Sequence, residues 1–245
     1  MKLSLRTALV VPLLALFGLL PLAGQAAGLV GSGKTATQVR NLAEFQAIHL
    51  SGSIDVQVRQ GSAQSVTVQA DDNLLEYLET MVENTADGPT LDVRWKRGRS
   101  LSTRQPVKVT VVVPRLSALH LAGSGDLLVE AFTTPALSLR LSGAGDARLN
   151  GVNAGELAVS IAGSGDVAGS GKAQRLKLSI AGSGDVRLAE MQADEVSVNI
   201  AGSGDAAIHA QKLLTVSIAG SGDVSYVGNA SVTTSIVGSG SVNRR

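Results

Sequence analysis

A glycine-rich turn, Gly-Ser-Gly-Asp, recurs along the second half of the chain and constrains its fold more than any other feature. Its copies follow one another every 18 to 20 residues, with Ala144 replacing one serine and Ser241 replacing the last aspartate. A fixed period of this length is typical of proteins built by stacking one supersecondary unit. Glycine suits such turns because it adopts positive φ and carries no Cβ that would clash with the next unit. The turn glycines predicted to be structural are Gly123, Gly125, Gly143, Gly145, Gly163, Gly165, Gly182, Gly184, Gly202, Gly204, Gly220, Gly222, Gly238 and Gly240.

The residues on both sides of each turn alternate between apolar and polar. Leu176–Ile180 before one turn and Val186–Leu188 after it are apolar at every second position. This period marks a strand with one buried face, and one unit of about 20 residues cannot bury that face alone. The sequence therefore predicts an all-β fold, a right-handed parallel β-helix whose regular repeats occupy residues 116–245. The return segment of each unit, such as Ala189–Glu195, is predicted to be a loop.

The part of the chain before the regular repeats has strand-like segments but no clear period. We predict that residues 27–115 belong to the same single domain, 27–245, and cap one end of the solenoid. Leu91–Lys96 and Val107–Val113 are predicted strands joined by a basic loop. A short helix is predicted near residues 72–79, with Asp72 as its N-cap.

The first 26 residues have the pattern of a secretory signal peptide. Lys2 and Arg6 precede the apolar run Leu9–Leu20, and small residues follow at Gly24–Ala26. We therefore expect an exported protein, periplasmic or extracellular, with no integral membrane segment after cleavage. The chain has no cysteine, so we expect neither disulfides nor a lipid anchor on an N-terminal cysteine. Without Lys2 and Arg6 the formal charge changes from +1 to −1, which argues against nucleic acid as a partner.

The repeated aspartates form the column most suggestive of chemistry. Stacking would place their carboxylates about 4.8 Å apart, where neighbours repel by roughly 0.9 kcal/mol in bulk water. Hydrogen bonds from the turn amides or the adjacent serine would offset this repulsion. The alternatives are a row of Ca²⁺ sites and a pair of carboxylates for glycoside hydrolysis. The aspartates of this column, all weak candidates for metal ligands, are Asp126, Asp146, Asp166, Asp185, Asp205 and Asp223.

The histidines and one basic stretch are two further candidate groups. His49, His120 and His209 lie in separate units without metal-ligand spacing, so we interpret them as ordinary strand or loop residues. A basic stretch flanks Trp95 and is interpreted as a solvated hairpin or as a docking patch for an acidic surface glycan or a lipopolysaccharide phosphate. Its members are Arg94, Lys96, Arg97, Arg99, Arg104 and Lys108. No cofactor is implied by either group.

Three passages carry a resemblance to a known family. They are Phe45–Val56 with its Leu50-Ser51-Gly52 turn, Val107–Leu116 with Val113-Pro114, and the serial glycine turns. Together they resemble the bacterial head GIN-domain family over about Asn41–Val242. That family is described as auto-transporter adhesins with a pectin-lyase-like β-helix, so the resemblance implies cell adhesion.

These observations favour an exported, non-enzymatic adhesion module that presents its solenoid surface to a protein or a cell-surface glycan. A homo-oligomer is compatible with this interpretation. The alternatives are a polysaccharide-active enzyme of the pectin-lyase type and a structural or regulatory periplasmic domain. Aromatic residues make up only 2% of the chain, which disfavours the stacking platforms that enzymes use to hold sugars.

Overall fold

A computed structural model describes residues 28–245, so the predicted signal peptide lies outside the described residues. The described chain is an all-β solenoid of stacked parallel strands, which confirms the predicted fold class. Its helical content is a single 3-10 turn, Leu75–Tyr77. The strands are β1 (Leu29–Val30), β2 (Thr35–Arg40), β3 (Ala47–Gly52), β4 (Asp55–Gln60), β5 (Ser65–Asp71), β6 (Leu78–Thr85), β7 (Gly88–Trp95), β8 (Leu101–Ser102), β9 (Lys108–Val113), β10 (Ala118–Gly123), β11 (Leu127–Glu130), β12 (Thr133–Gly143), β13 (Ala147–Gly163), β14 (Val167–Gly182), β15 (Val186–Gly202), β16 (Ala206–Gly220), β17 (Val224–Val227), β18 (Ser231–Gly238) and β19 (Val242–Arg244).

The regular coils stack in register on their glycine turns. Gly182 pairs with Gly163 in the coil on one side and with Gly202 in the coil on the other. Every second side chain of the strands points into the core, where Leu178, Ile180 and Leu188 are essentially inaccessible to solvent. The parallel ladder satisfies the backbone groups while the stacked aliphatic columns form one continuous core.

The return segments are extended strands, so the prediction of loops there was wrong. β15 runs without interruption from Val186 to Gly202 and includes all of Ala189–Glu195. Met191 and Ala193 in this segment are fully buried, and the register with β16 shifts between Leu188 and Gln192. The chain therefore turns its corner through a local irregularity in the ladder and continues to pair.

The N-terminal part supplies coils as well as a cover for the end of the solenoid. β3 pairs in parallel with both β10 and β7, and β4 pairs in parallel with both β11 and β9. The coil formed by β3 and β4 thus lies between strands that follow it in the sequence. Antiparallel strands complete this end, with β6 on β7, β5 on β9, and β2 on β5.

The predicted helix is only the 3-10 turn, and Asp72 is not its N-cap. Leu74 occupies the cap position without a side-chain hydrogen bond, whereas the carboxylate of Asp72 accepts one from Ser32 Oγ. The neighbouring Asp71 is fully buried and accepts hydrogen bonds from the backbone N–H groups of Gly33, Arg104 and Gln105 at 2.7, 2.9 and 3.1 Å. Burial on its own raises the pKa of Asp71, but these donors and the Arg104 charge outweigh it and hold the pKa below its ordinary value. Asp71 therefore anchors two irregular segments.

Candidate binding surface

The two glycines of each turn are required for different reasons. Gly182 has φ of +137°, which side chains rarely adopt, and a Cβ there would overlap the carbonyl oxygen of Gly163. Gly184 has no unusual φ, yet a Cβ on it would overlap the carbonyl oxygen of Gly165 in the preceding coil. The first glycine thus makes the turn, and the second allows the coils to approach.

The aspartates connect successive coils by hydrogen bonds. Asp166 Oδ1 accepts the backbone N–H of Asp185 at 2.9 Å, and Asp185 Oδ1 accepts that of Asp205 at 3.1 Å. The same bond joins Asp146 to Asp166 and Asp205 to Asp223, and Asp223 Oδ1 accepts both the N–H and the hydroxyl of Ser241. The donors are backbone amides beside the turns, but each belongs to the next coil and not to the turn of the carboxylate itself. Asp55, outside the predicted column, makes the same contact, because its Oδ1 accepts the N–H of Asp126 at 3.0 Å. Among the described residues no such bond joins Asp126 to Asp146, so the ladder is interrupted there.

One arginine offsets part of the carboxylate repulsion. Arg187 Nη2 lies 3.1 Å from Asp166 Oδ2 and 3.4 Å from Asp185 Oδ2. Within residues 28–245, no three His, Asp or Glu side chains are grouped so that they could hold a metal ion. The ladder thus contributes hydrogen bonds between successive coils.

The polar side of the strands that precede the turns forms a regular surface, which we call the outer face. One row across it contains hydroxyl and amide side chains, and the neighbouring row contains alanines. The rows, aligned by strand register, are Ser160, Ser179, Asn199, Ser217 and Ser235, and Ala162, Ala181, Ala201 and Ala219. Most of these side chains are exposed, so the outer face offers the same small groups to solvent at each coil.

The first row continues into a cluster of charged residues at its N-terminal end. His49 and His120 are register partners on β3 and β10, and their rings meet edge to face with centroids 6.1 Å apart. His49 Nδ1 lies 3.2 Å from Asp92 Oδ1, and His120 Nε2 lies 3.3 Å from Asp87 Oδ2. The structure thus brings together His49 and His120, although they lie in separate units of the sequence. His209 remains apart and contacts Gln211.

Two groups of opposite charge contact the same nitrogen of His120. Arg140 Nη1, which can only donate a hydrogen bond, lies 2.7 Å from Nε2, and the carboxylate oxygen Asp87 Oδ2 lies 3.3 Å from it. Arg140 favours an unprotonated Nε2, whereas Asp87 favours a protonated one. Burial, followed by the charge of Arg140, lowers the pKa of His120 below its ordinary value, against the opposing effect of Asp87.

The histidine pair could have been found in the sequence. Ile48-His49-Leu50 precedes Ser51-Gly52-Ser53, just as Leu119-His120-Leu121 precedes Ala122-Gly123-Ser124. Aligning the irregular first coil with the regular repeat places the two histidines in the same column. Asp87 and Asp92 could not have been placed in this way, because β7 lies beside β3 only through the rearranged order of the N-terminal coils.

The basic stretch is not a hairpin. β7 and β9 pair with different strands, so Arg94 and Lys108 lie on separate columns of the solenoid. Arg94 is paired with Asp92 and, at 3.3 Å, with Glu79 Oε2. The guanidinium of Arg99 lies 5.5 Å from the centre of the Tyr77 ring. Part of the stretch is therefore held by interactions within the protein, which reduces its value as a docking patch.

Comparison with known proteins identifies the class of the chain. The family described as "putative auto-transporter adhesin, head GIN domain" matches residues 44–230, and the chain belongs to this family. The predicted family is thereby confirmed. Within residues 28–245, no helix combines the length and apolar character that crossing a membrane requires.

Solved structures share the fold over nearly the whole described chain. A putative adhesin from Bacteroides fragilis is 22% identical, with a TM-score of 0.82, 89% of this chain covered and 100% of the other. A putative lipid binding protein from Parabacteroides distasonis is 26% identical, with a TM-score of 0.73 and coverages of 89% and 99%. A putative adhesin from Parabacteroides merdae is 24% identical, with a TM-score of 0.69 and the same coverages. No curated protein matches the chain.

Proposed function

We propose that this chain is an exported, non-enzymatic adhesion module that binds a cell-surface polymer or a protein through its outer face. Membership of a family described as adhesins supports the class of function. The observation that carries the proposal is the repeated chemistry of the outer face, where Ser179, Asn199 and Ser217 occupy equivalent exposed positions. Equivalent groups at steps of about 4.8 Å suit a long, repetitive ligand, because each coil adds a similar contact.

An enzyme of the pectin-lyase type has less support. One oxygen of Asp166 and one of Asp185 is occupied by a backbone N–H of the next coil, and Arg187 contacts the other oxygen of both. An acid catalyst needs an apolar or crowded pocket that raises its pKa, whereas the side chains of Asp166 and Asp185 are 33% and 39% exposed to solvent. Phe132, one of the few aromatic residues of the repeat region, is fully buried and cannot hold a sugar.

A glycan array combined with a cleavage screen on acidic polysaccharides tests the proposal. The variant Ala181→Tyr adds bulk to the centre of the outer face, and Ala144→Tyr adds the same bulk to an exposed turn. We expect the wild type and Ala144→Tyr to bind the same array ligand, Ala181→Tyr to lose that binding with an unchanged melting temperature, and no protein to release cleavage products. Cleavage by the wild type, or equal binding by all three proteins, would contradict the proposal.

A further inference from the structure

The outer face contains one depression with a distinct charge. It has a volume of about 230 Å³, and its polar lining comes mainly from neighbouring coils of the outer face. Its polar lining includes Ser138, Arg140, Ser160, Lys177, Ser179 and Asn199. Arg140 and Lys177 are cations, and no carboxylate lines the depression. The hollow on the opposite side of the turn differs, because Asp185, Asp205 and Asp223 line it. An anionic ligand therefore matches this part of the outer face.

Both cations are available to a ligand. The Arg140 side chain is 51% exposed, and its polar contacts among the described residues use only Nη1, which lies 2.7 Å from His120 Nε2 and 3.6 Å from Asp87 Oδ2. The Lys177 side chain is 58% exposed and lies 2.8 Å from Glu156, which also holds Arg175 at 3.2 Å. The hydrogen bonds from Lys177 and Arg175 lower the pKa of Glu156, so this one carboxylate is shared between Lys177 and Arg175. Exposed ion pairs contribute little to stability, and an incoming anion can replace them at small cost.

The remaining lining groups define the rest of the ligand. Strand register places Ser160 and Ser179 in the row that begins at Arg140, with Lys177 two residues before Ser179 on β14. Serine hydroxyls and the amide of Asn199 donate and accept hydrogen bonds, as sugar hydroxyls require. A guanidinium matches a carboxylate in shape, because its planar donors pair with both oxygens. The depression thus combines groups for a carboxylate with groups for several hydroxyls.

We infer that this depression is a subsite for a sugar acid of an anionic glycan, with Arg140 binding the carboxylate and the serine row binding hydroxyls. The inference rests on the proposed function in taking the outer face as the binding surface. Lys177 supplies a second charge for the next acidic residue of the chain. Recognition by charge and hydrogen bonds also agrees with a surface in which Trp95 and Tyr226 lie away from the depression.

Calorimetric titration with a galacturonic acid oligomer tests the inference, with the fully methyl-esterified oligomer as the neutral ligand. The variant Arg140→Gln removes the proposed carboxylate contact, and Arg148→Gln removes an equal charge from an exposed position after the turn. We expect the wild type and Arg148→Gln to bind the acid alike. Esterification of the ligand or Arg140→Gln should weaken binding by about tenfold or more, since a charge-assisted pair is lost.

The outcomes separate this inference from the proposed function. Equal affinities of wild type and Arg140→Gln for the acid, or equal affinities of the acid and its ester, would overturn the sugar-acid subsite. An array ligand that is neutral and sensitive to Ala181→Tyr would also overturn it, while leaving the outer face as the binding surface. Thermal melts of Arg140→Gln within a few degrees of wild type exclude loss of folding as the reason for weaker binding.

Discussion

The ladder of aspartates makes a prediction that separates hydrogen bonding from charge. In Asp185→Ala the N–H of Asp205 loses the acceptor that lies 3.1 Å away, and an unsatisfied amide costs about 1–3 kcal/mol, at the lower end where water can reach it. In Asp185→Asn the side-chain oxygen still accepts that bond. The contact with Arg187 at 3.4 Å is also lost, but an exposed ion pair contributes little to the free energy of unfolding. The loss of one charge relieves the repulsion from Asp166 and Asp205. We expect Asp185→Asn to change the free energy of unfolding by less than about 0.5 kcal/mol.

Urea unfolding of the two variants beside the wild type measures this difference, and a calcium titration of all three proteins measures cation binding. The account predicts that only Asp185→Ala shifts the midpoint clearly. If Asp185→Asn destabilises the solenoid as much as Asp185→Ala, the carboxylate charge has a role beyond accepting the amide. A calcium affinity that both variants abolish would support the alternative of a cation site.

Three further predictions concern the turns, pH and calcium. Gly184→Ala should lower the free energy of unfolding by about 2 kcal/mol or more, because its Cβ would overlap the Gly165 carbonyl. The control Ser183→Ala should change it by less than about 0.5 kcal/mol. Equal urea midpoints of the two variants would contradict the packing role of Gly184. The pKa of His120 is lowered from 6.5, so the unfolded chain binds this proton more readily and stability should fall as pH decreases below 6.5. His120→Gln should reduce that slope between pH 6.5 and 5, and an unchanged slope would refute the assignment. Thermal melts with calcium and with a chelator should agree within a few degrees, because core packing and the backbone ladders account for the fold; a large decrease in the chelator would contradict this.

Much of the fold could be predicted because both the turns and the strands repeat in the sequence. The glycine turns and the alternation around Leu178 and Val186 predicted the stacked coils. The return segments were misread as loops because Glu190, Asp194 and Glu195 lie close to the buried Met191 and Ala193, and a short segment rich in charged residues resembles a surface loop. The spatial order of the first coils could not be predicted, since β7 and β9 carry no turn motif that relates them to β3 and β4.

The candidate site was only partly visible in the sequence. The aspartate column was predicted, but its partners were not, because a hydrogen bond from the next coil depends on the stagger between coils. Arg140 and Lys177 lie almost two repeats apart in the sequence and share a depression only because β12, β13 and β14 are neighbours. The histidine pair required an alignment of the irregular coil with the regular ones.

Whether the outer face is the surface that binds can be tested directly, because the chain contains no cysteine. Single cysteines can be placed on the outer face by Ser179→Cys, at a turn by Ser183→Cys, and beyond the turn by Arg187→Cys, all at exposed positions. The rate of thiol modification is then measured with and without the ligand identified on the array. We expect slower modification of Ser179→Cys in the presence of ligand and unchanged rates at the other two positions. Protection of Arg187→Cys with no effect at Ser179→Cys would place binding on the aspartate side and contradict the claim.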